Sequence, residues 1–201
     1  MRTRRRDVKM AIEIKGNWKK GYALDFHTKS SLYLGRDQYG HDQFDTTRTE
    51  IGQLVYDLKY NHNQTVVQKI IDIILTQIKG FEKIDVIIPV PPSKSRAYQP
   101  VLLIADALGI KTGISVIKNE IIKIRETPEL KDINDPGERE RILRDAFGIA
   151  GRNHLQNKSV LLVDDLYRSG STLRAITDIL YNKARVADVY VIALTKTRSK
   201  Q

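Results

Sequence analysis

Leu161-Leu162-Val163-Asp164-Asp165-Leu166-Tyr167-Arg168-Ser169-Gly170-Ser171-Thr172-Leu173 is the stretch that decides how this chain is read. Residues 159–164, SVLLVD, are apolar at successive positions, which suits a strand covered on both faces rather than one with a wet side. Two carboxylates stand at its carboxyl end, then a loop of small and hydroxyl residues, and Thr172 to Asn182 has helical periodicity. In open α/β sheets that edge is where ligands bind. The loop Arg168, Ser169, Gly170, Ser171, Thr172 can fold so that backbone N–H groups and hydroxyls converge on one point, and the helix end adds about half a positive charge. It reads as a phosphate cradle. The Asp pair would repel phosphate but suits hydroxyl donors or a hard divalent cation. A ligand with a phosphate at one end and vicinal hydroxyls beside it, such as ribose 5-phosphate, satisfies both halves.

Working outward, DVIIPV (85–90), ISVIK (114–118) and VYVIALTK (189–196) are further short β-rich runs, and residues 97–108 are helical in pattern. Strands alternating with helices predict one doubly wound unit over 85–196. Before it, residues 20–36 read as a hairpin about the polar turn His27 to Ser31, and 37–46 as polar loop. Thr47 or Thr49 caps a helix marked by Ile51, Leu54, Val55 and Leu58, and a second amphipathic helix runs from Thr65 to Ile78. Gly109 reads as a helix C-cap and Pro100 as a first-turn residue.

The 201 residues carry 34 Lys+Arg against 24 Asp+Glu, net +10, at 41% apolar and 29% charged content. That suits one core-forming domain with an appendage, and excludes collagen-like or wholly disordered chains. Most of the excess charge sits at the ends: residues 1–20 hold 8 basic and 2 acidic side chains, and the tail holds Lys196, Arg198 and Lys200. Basic ends of this kind can bind nucleic acid weakly or simply be solvated. Cysteine is absent, which excludes disulfides, zinc ribbons and thiol nucleophiles. No apolar run reaches the ~18 residues of a membrane span, nor does the basic start read as a secretory signal. A cytoplasmic location is expected. His27, His41, His62 and His154 have no paired spacing for a metal. Trp18, Tyr22 and Tyr33 could stack bases, but more simply pack the hairpin.

The stretch at 161–173 resembles the phosphoribosyl-diphosphate (PRPP) binding motif of type I phosphoribosyltransferases. A receiver domain, which also opens on an acidic pair, needs more βα units than the 36 residues after Asp165 hold. Ile88-Pro89-Val90-Pro91-Pro92-Ser93-Lys94-Ser95-Arg96 looks like the strand and diphosphate loop of the ComF/GntX-like branch. Arg125-Glu126-Thr127 and Glu138-Arg139 ahead of Ala146-Phe147 are similar to that branch's Arg-x-Thr and Glu-Arg segments. Leu54 to Tyr60 looks like the helix before its catalytic unit. The likeness covers residues 50–197. The chain lacks the branch's cysteine zinc ribbon, and it has Ala97-Tyr98-Gln99-Pro100 and Ile142 where the branch has other residues.

The resemblance implies a type I phosphoribosyltransferase fold: a doubly wound, mainly parallel sheet with helices on both faces and an N-terminal hairpin and helical extension. Residues 1–50 would be an accessory or hood segment and 51–201 the phosphoribosyltransferase-like domain. It implies a Mg²⁺-dependent enzyme using PRPP and an unidentified acceptor, with a homodimer one expected assembly. Asp164 and Asp165 would take the ribose hydroxyls and, indirectly, the metal. Arg168 to Thr172 would hold the 5-phosphate, and Pro92, Ser93, Lys94 and Arg96 the diphosphate. Arg125 would be catalytic and, with Thr127, on a closing lid. A different class also fits: a PRPP- or nucleotide-sensing or DNA-uptake accessory protein with basic ends on nucleic acid.

Overall fold

Runs that are apolar at consecutive positions become the middle of a sheet. The computed structural model describes residues 10–92, 99–125, 133, 135–143, 146–150 and 154–198. In chain order these form β1 (Ile12–Glu13), β2 (Lys20–Phe26), β3 (Thr28–Arg36), β4 (Asp42–Arg48), α1 (Glu50–Tyr60), α2 (Val67–Gln77), β5 (Val86–Pro89), α3 (Pro100–Thr112), β6 (Ser115–Val116), β7 (Ile121–Lys123), α4 (Pro136–Leu143), β8 (Phe147–Ile149), β9 (Ser159–Tyr167), α5 (Ser171–Asn182) and β10 (Asp188–Lys196). Six strands make one sheet in the order β1-β2-β10-β9-β5-β6. β2, β10, β9, β5 and β6 run parallel, and β1 alone is antiparallel.

Alternation along these strands feeds two cores. Ala23, Val160, Leu162, Val191 and Ala193 meet Leu173, Ile176 and Leu180 of α5. Leu24, Leu161, Val163, Ile192 and Leu194 meet Leu54 and Leu58 of α1, Ile70 and Ile74 of α2, and Ile104 and Leu108 of α3. Both faces are therefore covered, as a parallel sheet requires, and the expected doubly wound, mainly parallel α/β sheet is present. No helix among the described residues is long and apolar enough to cross a membrane.

The N-terminal hairpin lies elsewhere than expected. Residues 20–26 do not fold back on 28–36: β2 enters the main sheet between β1 and β10. The physical reason is that Ala23, Leu24 and Asp25 are buried in succession, the signature of a strand with two covered faces. The hairpin is the β3–β4 ribbon, and its second strand, Asp42–Arg48, begins inside residues 37–46, expected as loop. At the break Thr49 Oγ1 donates to Phe26 O (2.6 Å) while accepting from Gly52 N (3.0 Å), so the expected helix cap also anchors α1 to the end of β2.

Pro100 opens α3 as expected, but Gly109 is not its end. The helix runs one turn further to Gly113, whose φ of 75° supplies the left-handed cap. Gly109 instead gives room: a Cβ there would come within 2.4 Å of Val116 Cγ2. Between β6 and β9, β7 and β8 form a separate antiparallel ribbon, and Leu143, Ala146 and Phe147 bury their side chains against the α5 core.

Candidate functional site

Five parallel strands end on one edge of the sheet, and the acid pair stands at its centre. Because successive strand residues point to opposite faces, Asp165 follows Leu161 and Val163 toward α1, and Asp164 follows Val160 and Leu162 toward α5. Lys59 of α1 reaches Asp165, its Nζ 2.6 Å from Oδ2. The Asp165 N–H turns to Asp164 Oδ1 at 2.8 Å. Burial and, after it, the neighbouring Asp165 carboxylate push the Asp164 carboxyl up to about 7. Two acids side by side in a partly dry place cannot both carry full charge cheaply.

The chain then turns into α5 through Gly170, at φ 76° and ψ 5°. A side chain is excluded there, since a Cβ would lie 2.6 Å from Tyr167 Cε2. No side chain caps α5, so its first N–H groups are left to an incoming acceptor. Ser169 Oγ and Ser171 Oγ share a hydrogen bond of 2.9 Å across the turn, and Arg174 one turn into the helix donates to Ser169 O at 2.9 Å. The loop Arg168–Thr172 thus stands directly after the acid pair, with hydroxyls, uncapped N–H groups and a guanidinium at one helix end. Such a donor set suits an oxyanion.

A second layer lies on the other side of Asp165. Thr195 Oγ1 donates to Asp165 O at 3.0 Å and shares a 3.2 Å hydrogen bond with His27 Nδ1. A hydroxyl has one hydrogen, here spent on a carbonyl, so His27 Nδ1 is the donor in that pair. Burial, then the charges of Arg48 and Lys59, hold the His27 imidazole below its ordinary value, against the pull of Asp165. α1 sits close: a Cβ on Gly52 would fall 2.0 Å from His27 O.

No protein-family model matches the chain, and no curated protein matches it in sequence. Among solved structures it is similar to adenine phosphoribosyltransferase from Saccharomyces cerevisiae in complex with adenine and an imino-altritol bisphosphate, at 16% identity over 82% of this chain and 83% of that one, TM-score 0.45. It is also similar to a hypoxanthine phosphoribosyltransferase from Staphylococcus aureus, at 15% identity over 69% and 67%, TM-score 0.39. A hypothetical protein from Neisseria gonorrhoeae with bound ppGpp is similar at 14% identity over 71% of each chain, TM-score 0.40.

Of the residues expected from sequence, Asp164, Asp165 and Arg168 to Thr172 share one place at the end of β9. Pro92 lies three residues past β5, the strand paired with β9. Ser93, Lys94, Arg96 and Thr127 lie outside the described residues. Arg125 follows β7 at the surface, away from the end of β9 in sequence and on a separate ribbon. Trp18 is core rather than stacking surface: it is 7% exposed, donates from Nε1 to Ile14 O, and meets Tyr167 edge-on at 6.4 Å. Tyr33 packs on Phe44 within the ribbon at 5.3 Å. Lys59, Arg174 and Thr195 were not singled out from sequence, and His27 was weighed only as a metal ligand and set aside. Only Lys59 left a trace, as the one cation on the last turn of an otherwise apolar-faced helix.

Proposed function

We propose that this chain is a type I phosphoribosyltransferase-type protein of the ComF-like kind, binding PRPP with Mg²⁺ and transferring its phosphoribosyl group to an acceptor with release of diphosphate. One observation carries the reading: an acidic pair and an uncapped helix N-terminus, six residues apart, meet on the carboxyl edge of a parallel sheet. One half suits hydroxyls and the other suits phosphate, which matches the two ends of a ribose 5-phosphate.

In this reading Arg168 to Thr172 hold the 5-phosphate through the N–H groups of α5 and the hydroxyls of Ser169, Ser171 and Thr172. Asp164 and Asp165 accept hydrogen bonds from the ribose hydroxyls, and Pro92, Ser93, Lys94 and Arg96 hold the diphosphate. The bond from the anomeric carbon to diphosphate breaks, its electron pair leaving with diphosphate, and the acceptor's nucleophile forms the new bond through an oxocarbenium-like centre. Cations and N–H groups placed around the departing charge are worth ~3 kcal/mol apiece in such sites. Arg125 and Thr127 would close over the reacting centre and keep water out.

The residues fit a magnesium ion held mainly by its substrate. Mg²⁺ commonly takes one or two carboxylates together with substrate phosphates, and two are present, while no cluster of three or more His, Asp or Glu ligands occurs among the described residues. When bound, it would neutralise charge on the diphosphate as that group leaves. Titration calorimetry with Mg²⁺ and PRPP tests the reading: Asp164→Asn with Asp165→Asn should abolish binding, and unchanged affinity would sink it. Retained PRPP binding without diphosphate release, over a panel of bases and amines, would favour the sensing alternative.

A further inference from the structure

Three cations at the ends of β4 and β10 have no carboxylate partner among the described residues. Arg48, the last residue of β4, lays its guanidinium 3.8 Å from the centre of the Tyr56 ring, and its Nε is buried with no hydrogen-bond acceptor. Lys196 ends β10 level with Phe26 of β2 on one side and Tyr167 of β9 on the other. Its Nζ lies 5.5 Å from the first ring centre and 6.0 Å from the second. Arg198 stands 4.4 Å from the Phe26 ring centre and donates from Nε to Thr28 O at 3.4 Å. The three converge on one step of the chain: Thr28 faces Arg48 in the ribbon register, and the His27 N–H donates to Lys196 O at 2.8 Å. Lys19, Lys59, Lys69 and Lys118 are each in contact with a carboxylate; among the described residues these three are not.

A ring face attracts a cation but offers its N–H groups no oxygen lone pairs. Lys196 and Arg198 share the Phe26 ring and repel one another there, and the Arg48 Nε is left with nothing to donate to. An oxyanion placed among them removes both deficits, and the guanidinium fork is shaped for one. The PRPP reading makes no use of this cluster. Its diphosphate is assigned to the segment after β5, across β9 from β10 and β2, and its 5-phosphate to the turn into α5, from which the Tyr167 ring separates Lys196. The cluster is nonetheless joined to the acid pair, because Thr195, next to Lys196, donates to Asp165 O.

We propose that Arg48, Lys196 and Arg198 form a second oxyanion site, which holds a carboxylate or phosphate group carried by the acceptor. The inference rests on the PRPP reading and narrows it: the acceptor is an anion, and the chain rejects its neutral counterpart.

Calorimetry on the full chain loaded with Mg²⁺ and PRPP tests this, using benzoate and phenyl phosphate as oxyanion probes and benzamide as the neutral control. At least one oxyanion probe should bind at least tenfold tighter than benzamide, and the tighter of the two tells carboxylate from phosphate. In Lys196→Gln/Arg198→Gln the preference should fall below threefold. Arg198→Gln alone, at an exposed position, should halve it or more, and serves if the double variant does not fold. Equal binding of all three probes, or a preference untouched by Arg198→Gln, overturns the proposal. Displacement of the probe by a single-stranded oligonucleotide at equal concentration would make this a nucleic-acid contact and overturn the acceptor's role. If PRPP does not bind but the unloaded chain still prefers benzoate, the transferase reading and the acceptor's role fall while the anion site stands.

Discussion

Lys59 Nζ lies 2.6 Å from Asp165 Oδ2, across the gap between the last turn of α1 and the end of β9, with 23% and 17% of the two side chains exposed. The helix thus delivers a counterion to a carboxylate pair that the strand alone could not hold. Lys59→Met should lower stability by about 2 kcal/mol, between the small worth of exposed pairs and the larger loss on orphaning a buried charge. Lys59→Arg should recover most of it. Urea unfolding midpoints decide: a Lys59→Met midpoint equal to wild type would show the pair to be energetically idle.

Protonation gives a second handle. The Asp164 carboxyl sits near 7 in the fold against 3.8 in a free chain, so between these values the folded state binds the proton more tightly than the unfolded state. Stability from this group is greatest below pH 4 and is lost as the pH rises toward 7. The wild-type Tm, minus that of Asp164→Asn, should therefore fall from pH 5 to pH 7 and level off above it. A difference that rises with pH would reverse the assignment.

At the entry to α5, Gly170→Ala forces a side chain into a left-handed backbone and against the Tyr167 ring, 2.6 Å away. A loss of ~1–2 kcal/mol is expected, together with a weaker grip on ribose 5-phosphate as the turn opens. Thermal unfolding and ligand titration read the two effects separately, and an unaltered affinity would detach the turn from phosphate binding.

Thr49 joins fold to site. Its hydroxyl caps α1 and holds Phe26 O, so Thr49→Ala should cost ~1–2 kcal/mol, while Thr49→Ser should stay close to wild type. Faster amide exchange at Gly52 in the alanine variant is the expected mark, and unchanged exchange would assign the loss elsewhere.

The parts of this site written locally were legible in the sequence. A run of apolar residues, two acids, a glycine and hydroxyls place strand, pair and turn within thirteen neighbouring positions, and pairing along one chain segment needs no tertiary knowledge. The same holds for Thr49, whose cap is set by the residues just after it. Lys59, His27 and Thr195 were not legible, because Lys59 and Thr195 reach Asp165, and His27 reaches Thr195, from three different elements that only the sheet order brings together. The strand at 20–26 was misassigned for a related reason. Its burial comes from β10, some 170 positions downstream, whereas the alternation rule assumes one wet face.

Pairing of Lys20–Phe26 with Tyr190–Lys196 also bears on how the chain is made. During synthesis β2 must wait, with Ala23 and Leu24 uncovered and one edge unpaired, until β10, some 170 residues further on, has emerged. Closing so long a loop is slow, and a nascent chain halted before residue 188 holds an open strand edge that invites wrong partners. A strand translated some 170 residues later is therefore the one that seals β2.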